Sequence, residues 1–486
     1  MKPIYVICIC LFLCLTTVAA HPAHAQEVVL YNFQGSPDGA NPEGNLTSYN
    51  GKLYGVTAAG GAGKAGTVFE LSPNGVGGWN EAVLYNFCSR PNCTDGSTPT
   101  YAYVTFDSRG NMYGTTWTGG ANNHGVVWKL SPSGAHWKET VLHSFQNGNG
   151  VSGLVMDPVG NLYGCTYNGP RASSVFELSP LKGGWTEHTI HNIDETYAGL
   201  AIDAAGNLFG STLAYVFELS PNGNGGWDGS VLYNFEPDKD GEFEIPTLDS
   251  AGNLYGTTES GGQKDSGAVW KLTRVKSGKN KGTWTEKTLY SFRGGQKDGS
   301  FPYGGIVFDT AGNIYGTTLS GGFDEHGTVF ELVAPIGTSQ GYKEKLLWSF
   351  NLTDGPSYGS LILDSSGNLY GATYGASNPA GVVFEVNPSA AATTTTLSSS
   401  SNPSTEGEAV TFTAVITPAP PEGETISFVE GTMPETVLGM GSSSGGVATL
   451  SYSGLPLGTA KITAVYGGDL AFSGSRSNTV KQVVDK

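Results

Sequence analysis

The chain has 486 residues, 38% of them hydrophobic and 14% charged, with 72 glycines and 25 prolines. This excludes a charge-driven disordered polymer, and glycine without a three-residue period excludes collagen; many turns and short strands are expected, with little helix. A net charge of −17 with no lysine- or arginine-rich run opposes a phosphate backbone, so nucleic acid is excluded as a partner.

The first 25 residues read as a secretory signal peptide: Lys2, an apolar run from Ile4 to Val18, then Ala23, His24 and Ala25 as a small-x-small cleavage site. That run falls short of the ~20 residues a membrane-spanning helix needs, and no later stretch comes close. The mature chain is expected to start near Gln26 and to be secreted, extracellular or associated with the cell surface. Cys8, Cys10 and Cys14 leave with the signal. After export a disulfide between Cys88 and Cys93 is expected, with Cys165 a small buried side chain.

A phrase then recurs seven times: GKLYGVT at Gly51, GNMYGTT at Gly110, GNLYGCT at Gly160, GNLFGST at Gly206, GNLYGTT at Gly252, GNIYGTT at Gly312 and GNLYGAT at Gly367, at spacings of 46 to 60 residues. Around it the same order returns. An apolar run ends in Asp107, Asp157, Asp203, Asp249, Asp309 or Asp364; the phrase follows, then a glycine-rich loop, a VFEL-like run, a turn, and a run such as VLYNF. Four short strands per repeat, here a, b, c and d, describe a four-stranded meander at the period of propeller blades. Strand d has seven copies; the first, Val28 to Phe33, precedes any a–b–c set, and the last a–b–c set has no d strand after it. The fold class is therefore all-β: a seven-bladed β-propeller closed by its N-terminal strand, over residues 26–388. Alternation in strand d puts Tyr85 and Phe87 on one side and Leu84 on the other, and Trp79, Trp137, Trp185, Trp227 and Trp284 at its start are read as packing between blades. Such a ring exposes only short edges, and a monomer is expected.

The phrase GNLYGTTxxGG followed by GxVFEL resembles the GloVer tandem repeat of secreted bacterial proteins with a choice of C-terminal anchor. That resemblance implies secretion and carries no catalytic residues. Residues 389–400, rich in Thr and Ser, read as a linker. Residues 401–486 alternate apolar and polar in short runs and read as a β-sandwich; ISFVEG and LPLGTAKITAVYGGD resemble bacterial Ig-like repeats, whose role is spacing or attachment.

By analogy with other propellers, a ligand would sit where the d–a and b–c loops share one face. The candidates there are Asp38, Asp95, Asp240, Asp298 and Asp354, each followed by glycine, with His124 and His326. Such aspartates can hold a divalent cation, calcium above all, or meet a hydroxyl-rich polymer; the competing and favoured reading is a tight Asp-Gly turn. Otherwise no cofactor or resident metal is expected. A sialidase-like site needs an arginine triad and a Tyr/Glu nucleophile pair; only Arg90, Arg171 and Arg293 fall in these loops, and the DxxGN turns differ from the SxDxGxTW box of that family, so the match is poor; no HExxH occurs. The function expected is a non-catalytic binding or adhesion protein for an extracellular polysaccharide or surface protein. The alternative is a polysaccharide hydrolase or lyase using carboxylates on the same face.

Overall fold

Short apolar runs broken by glycine turns pair with their chain neighbours, and the product is a series of small antiparallel sheets. The computed structural model describes residues 26–486 except 76–77, 135, 169–172, 195, 197–198, 236–245, 277–281, 336–340, 353–354, 376–379, 390, 392, 432–435 and 469–471. The expected signal sequence lies outside the described residues, and so do Asp240, Asp354 and Arg171. The chain divides into two compact units, Ala25–Ser389 and Ala390–Lys486. Among the described residues the helical content is one 3-10 turn, Pro91–Cys93, and no helix is long and apolar enough to cross a membrane.

Seven four-stranded antiparallel sheets occur among the described residues of the first unit. The first takes its a, b, c and d strands from Thr47–Tyr49, Lys52–Thr57, Thr67–Pro73 and Trp79–Asn86. The next five keep that order, with b strands Met112–Thr115, Leu162–Tyr167, Leu208–Ser211, Leu254–Thr258 and Ile314–Thr318. In the seventh, Ile362–Leu363, Leu369–Thr373 and Val382–Asn387 supply a, b and c. Its fourth strand is Gln26–Asn32, antiparallel to Val382–Asn387. Strand a is shorter than the apolar runs suggest, two residues in five sheets, because Leu200, Ile306 and Leu361 just ahead of it are buried without joining a ladder.

Each phrase residue has a packing reason. The glycine of LYG lies across from the aromatic of strand c: a Cβ on Gly55 would come within 2.6 Å of Phe69, on Gly114 within 2.4 Å of Trp128 and on Gly316 within 2.6 Å of Phe330. The flanking leucine and tyrosine are buried between neighbouring sheets. Seven apolar clusters fill those spaces, each drawn from two sheets. One joins Phe33, Tyr370 and Val383 of the seventh sheet to Leu46, Leu53 and Phe69 of the first.

The simple alternation expected of strand d does not hold. Every d strand shifts register at one residue, as between Val83 and Tyr85, where Leu84 is the extra one; Leu30, Leu142, Ile190, Leu232, Leu289 and Leu347 are its counterparts. A bulge inserts an unpaired residue and increases local twist, so an outer strand can be apolar on consecutive positions.

In the second unit a three-stranded sheet of Thr394–Ser399, Val410–Thr417 and Val447–Tyr452 accompanies a larger one containing Thr425–Glu430, Gly458–Gly468 and Val480–Asp485. Phe412, Ile416, Ile426, Phe428, Ile462 and Tyr466 form its core. Thr394–Ser399 falls inside the stretch read as linker. It is a strand because Thr395 and Leu397 alternate inward and the backbone pairs along Val410–Thr417.

Candidate functional site

In an antiparallel meander the d–a and b–c connections leave one end of the sheet, and the a–b and c–d turns leave the other. The aspartates expected at the first end are held by their own loops. Asp95, fully buried, accepts from Tyr85 Oη (2.7 Å), Ser89 N (2.8 Å), Ser89 Oγ (2.7 Å) and Arg90 N (3.2 Å). Burial alone would raise this carboxyl, but the Tyr85 and Ser89 hydrogen bonds outweigh it and hold Asp95 below the usual carboxylate range. Asp38 accepts from Tyr31 Oη (3.0 Å), Gln34 N (2.9 Å) and Gly39 N (2.6 Å). Asp298 accepts from Tyr290 Oη (2.8 Å) and Arg293 N (3.0 Å), yet burial dominates and shifts it upward. Cys88 and Cys93 are bonded to each other in the loop that carries Asp95. Cys165 is buried, its thiol pushed up to about 12 by that burial.

Beside each of these aspartates stands a glutamate of the neighbouring sheet that the sequence reading overlooked. Glu81, Glu139 and Glu344 lie six residues before the last phenylalanine of a d-strand run, as do Glu27 and Glu286. Burial, with the charge of Asp38, raises Glu81 to about 7; burial, with Asp298, raises Glu344 to about 8. Burial also raises Glu139 to about 7, even though Arg90 pairs with it. Arg90 is thereby bound within the protein. The W-x-E spacing at the start of strand d was the available signal for Glu81 and Glu139, with Tyr342 in place of the tryptophan before Glu344.

The same end carries a cluster of aromatic side chains. Tyr101, Tyr303 and Tyr358 come from d–a loops and Tyr374 from a b–c loop. Their rings form a chain, with centroids 6.3 Å apart for Tyr101 and Tyr303, 5.4 Å for Tyr303 and Tyr358 and 5.9 Å for Tyr358 and Tyr374. Trp117, from the b–c loop of the second sheet, and Tyr167, the last residue of strand b in the third, stack at 5.7 Å. Glu43 is raised to about 7 by burial. Tyr358 is also raised, by burial first and then by Glu43, Tyr374 and Glu259. Carboxyl groups and aromatic rings, half-buried except for the exposed Tyr374, therefore share one end of the sheets. Three of these tyrosines follow an Asp-Gly and a proline, in DGSTPTY, DGSFPY and DGPSY, and that phrase could have identified them. His124 and His326 are half-buried in b–c loops, and among the described residues no set of three His, Cys, Asp or Glu is arranged to hold a metal ion.

At the other end the a–b turns repeat one design. Asp107 accepts from Arg109 N and Asn111 N through Oδ1, and from Asn111 Nδ2 and Tyr113 Oη through Oδ2, all at 2.7–3.0 Å. Asp157 and its counterparts do the same, Asp203 without the phenol because Phe209 replaces tyrosine. Between the second and third sheets these turns border a groove of about 730 Å³, lined among others by Arg109, Tyr113, Lys129, Val159 and Trp185.

A family model for the Gloeobacter/Verrucomicrobia repeat matches residues 16–215 and again 211–417, and one for the bacterial Ig-like domain (group 3) matches residues 395–485. No curated protein matches the chain. Among solved structures, Trypanosoma rangeli sialidase in complex with sialic acid is similar with a TM-score of 0.32 and 6% identity, over 90% of this chain and 86% of that one. An alpha-L-arabinofuranosidase from Clostridium thermocellum ATCC 27405 is similar with a TM-score of 0.30 and 13% identity, over 66% of this chain and 94% of that one. Both likenesses are too loose to carry an argument. With the repeat matched across more than half its length, the chain belongs to the Gloeobacter/Verrucomicrobia repeat family and ends in a bacterial Ig-like domain.

Proposed function

We propose that this is a secreted, non-catalytic binding protein whose tyrosine-lined mouth takes an extracellular polysaccharide. In this reading the seven sheets are blades of a closed ring, residues 1–25 are a signal peptide removed on export, and the Ig-like unit is a spacer or attachment module. Support for closure comes from the pairing of Gln26–Asn32 with Val382–Asn387 and from the cluster around Phe33. The observation that carries the function is the chain of rings Tyr101, Tyr303, Tyr358 and Tyr374, contributed by loops far apart in sequence. Aromatic faces beside polar hydroxyl and carboxyl groups suit the apolar faces and hydroxyl rims of sugar rings. The aspartates proposed as ligands from sequence serve this site by fixing their loops.

One observation favours the hydrolase reading. Glu43, raised to about 7 beside Tyr358, has the proton affinity of a general acid at neutral pH. A screen of the purified mature chain against extracellular polysaccharides, scoring both retention and product release, separates the two. Binding without turnover, lost in the Tyr303→Ala/Tyr358→Ala variant, is the expected result. Product release that disappears in Glu43→Gln would replace the binding reading by the enzymatic one.

A further inference from the structure

The groove between the second and third sheets inverts the chemistry of the repeat. At the strand-c position facing the tyrosine or phenylalanine of strand b, five sheets carry a glutamate: Glu70, Glu177, Glu218, Glu331 and Glu385. Tyr54 Oη donates to Glu70 and Tyr315 Oη to Glu331. In the second sheet this position is Lys129, its Nζ 5.4 Å from the Tyr113 ring centre. The turn position two residues after the aspartate is apolar or serine in five copies, Val159, Ala205, Ala251, Ala311 and Ser366, and is arginine at Arg109. The fifth sheet has the other lysine, Lys271 over Tyr255, with Ala251 in its turn. Both changes to a cation thus meet in one groove, on a chain of net charge −17.

Neither Arg109 nor Lys129 makes an ion pair among the described residues. Asp107 and Asp157 also line the groove, but each already accepts four hydrogen bonds from its own turn. What remains for a ligand is a guanidinium, an ammonium and the half-exposed Trp185, whose ring meets Tyr113 edge-on at 6.3 Å. Such a wall offers charged donors with few free acceptors, beside an aromatic platform. We infer that this groove is a second ligand site, on the a–b turn end, for a carboxylate-bearing polysaccharide such as a polyuronate. The carboxylates take charge-assisted hydrogen bonds from Arg109 and Lys129 while a sugar ring lies on Trp185. A nucleic acid, with its dense run of phosphates, meets general repulsion from the rest of the acidic surface.

The test is calorimetric titration of the full mature chain with polygalacturonate oligomers, neutral cello-oligosaccharides of equal length and a single-stranded oligonucleotide. Lys129→Glu restores the residue that five sheets already carry, and Arg109→Ala changes an exposed turn side chain, so both variants are expected to melt with the parent. Each should weaken polygalacturonate about tenfold or more. Lys271→Glu should leave that affinity unchanged, and added salt should reduce it. Should Lys129→Glu not fold, Arg109→Ala alone reads out the same groove. The inference is overturned by parental affinity in the Arg109→Ala variant, by equal affinity for the neutral oligomer, by tighter binding of the oligonucleotide, or by no binding of polygalacturonate. Polyuronate binding that resists both groove substitutions but is lost in Tyr303→Ala/Tyr358→Ala removes this site while leaving the mouth as the binding surface.

Discussion

Tyr358, Glu43 and Glu344 show how burial rather than residue type sets the chemistry of this molecule. Glu344 Oε1 is buried without a hydrogen-bond partner among the described residues, and the folded protein raises its carboxyl to about 8, by burial first and then by the nearby charge of Asp298. A raised acid is protonated in the folded chain while still ionised in the unfolded one. Its favourable contribution is full below the unfolded value near 4.5 and is lost as pH rises through about 8. Glu81 and Glu139, raised to about 7, act in the same direction. Asp95, Asp107, Asp249 and Asp309 are lowered, so their contribution is present above the ordinary aspartate value and is lost on acidification. The melting temperature should therefore fall as pH rises from about 5 to about 8, and Glu344→Gln should flatten that decline. A decline equally steep in the variant would show that Glu344 is not its source. None of this was legible from the residue list, because Asp298 and Glu344 belong to different sheets and their proximity is made only by packing.

At the scale of the strand, the repeated phrase is a packing code. The glycine of LYG exists because the strand-c aromatic occupies the volume a Cβ would need, and Gly316→Ala would drive its methyl to within 2.6 Å of Phe330 Cζ. Overpacking of this kind costs about 1–3 kcal/mol. Thermal or urea unfolding of Gly316→Ala should show that loss, and Phe330→Leu added to it should recover part of it; a neutral Gly316→Ala would refute the close fit. Strand order and turn positions were readable in advance, since Asp-x-x-Gly-Asn fixes the a–b turn through local hydrogen bonds such as Asp309 with Asn313. The bulge at Leu84 and its counterparts was not. Alternation in a single strand assumes an unbroken ladder, and the extra residue is defined only against the partner strand.

For the whole molecule, the strand Gln26–Asn32 matters most. It completes the ladder of Val382–Asn387, and Phe33, fully buried, fills the space between the seventh and first sheets. Removing residues 26–33 would leave an unpaired edge and an exposed apolar seam, so size-exclusion chromatography of that deletion should show oligomers or aggregates and its melting transition should drop well below the parent. A monomeric deletion variant with the parental melt would contradict ring closure. The amino-acid sequence alone determined the number of repeats, the order of strands within each, the all-β class and the Ig-like character of the end, because these follow from local periodicity and turn chemistry. Only the tertiary structure decided which side chains meet: the tyrosine chain across loops, the Asp and Glu pairs at the seams, and the gathering of Arg109, Lys129 and Trp185 in one groove. Those contacts join residues of different sheets, and no local pattern encodes a distance across the gap between them.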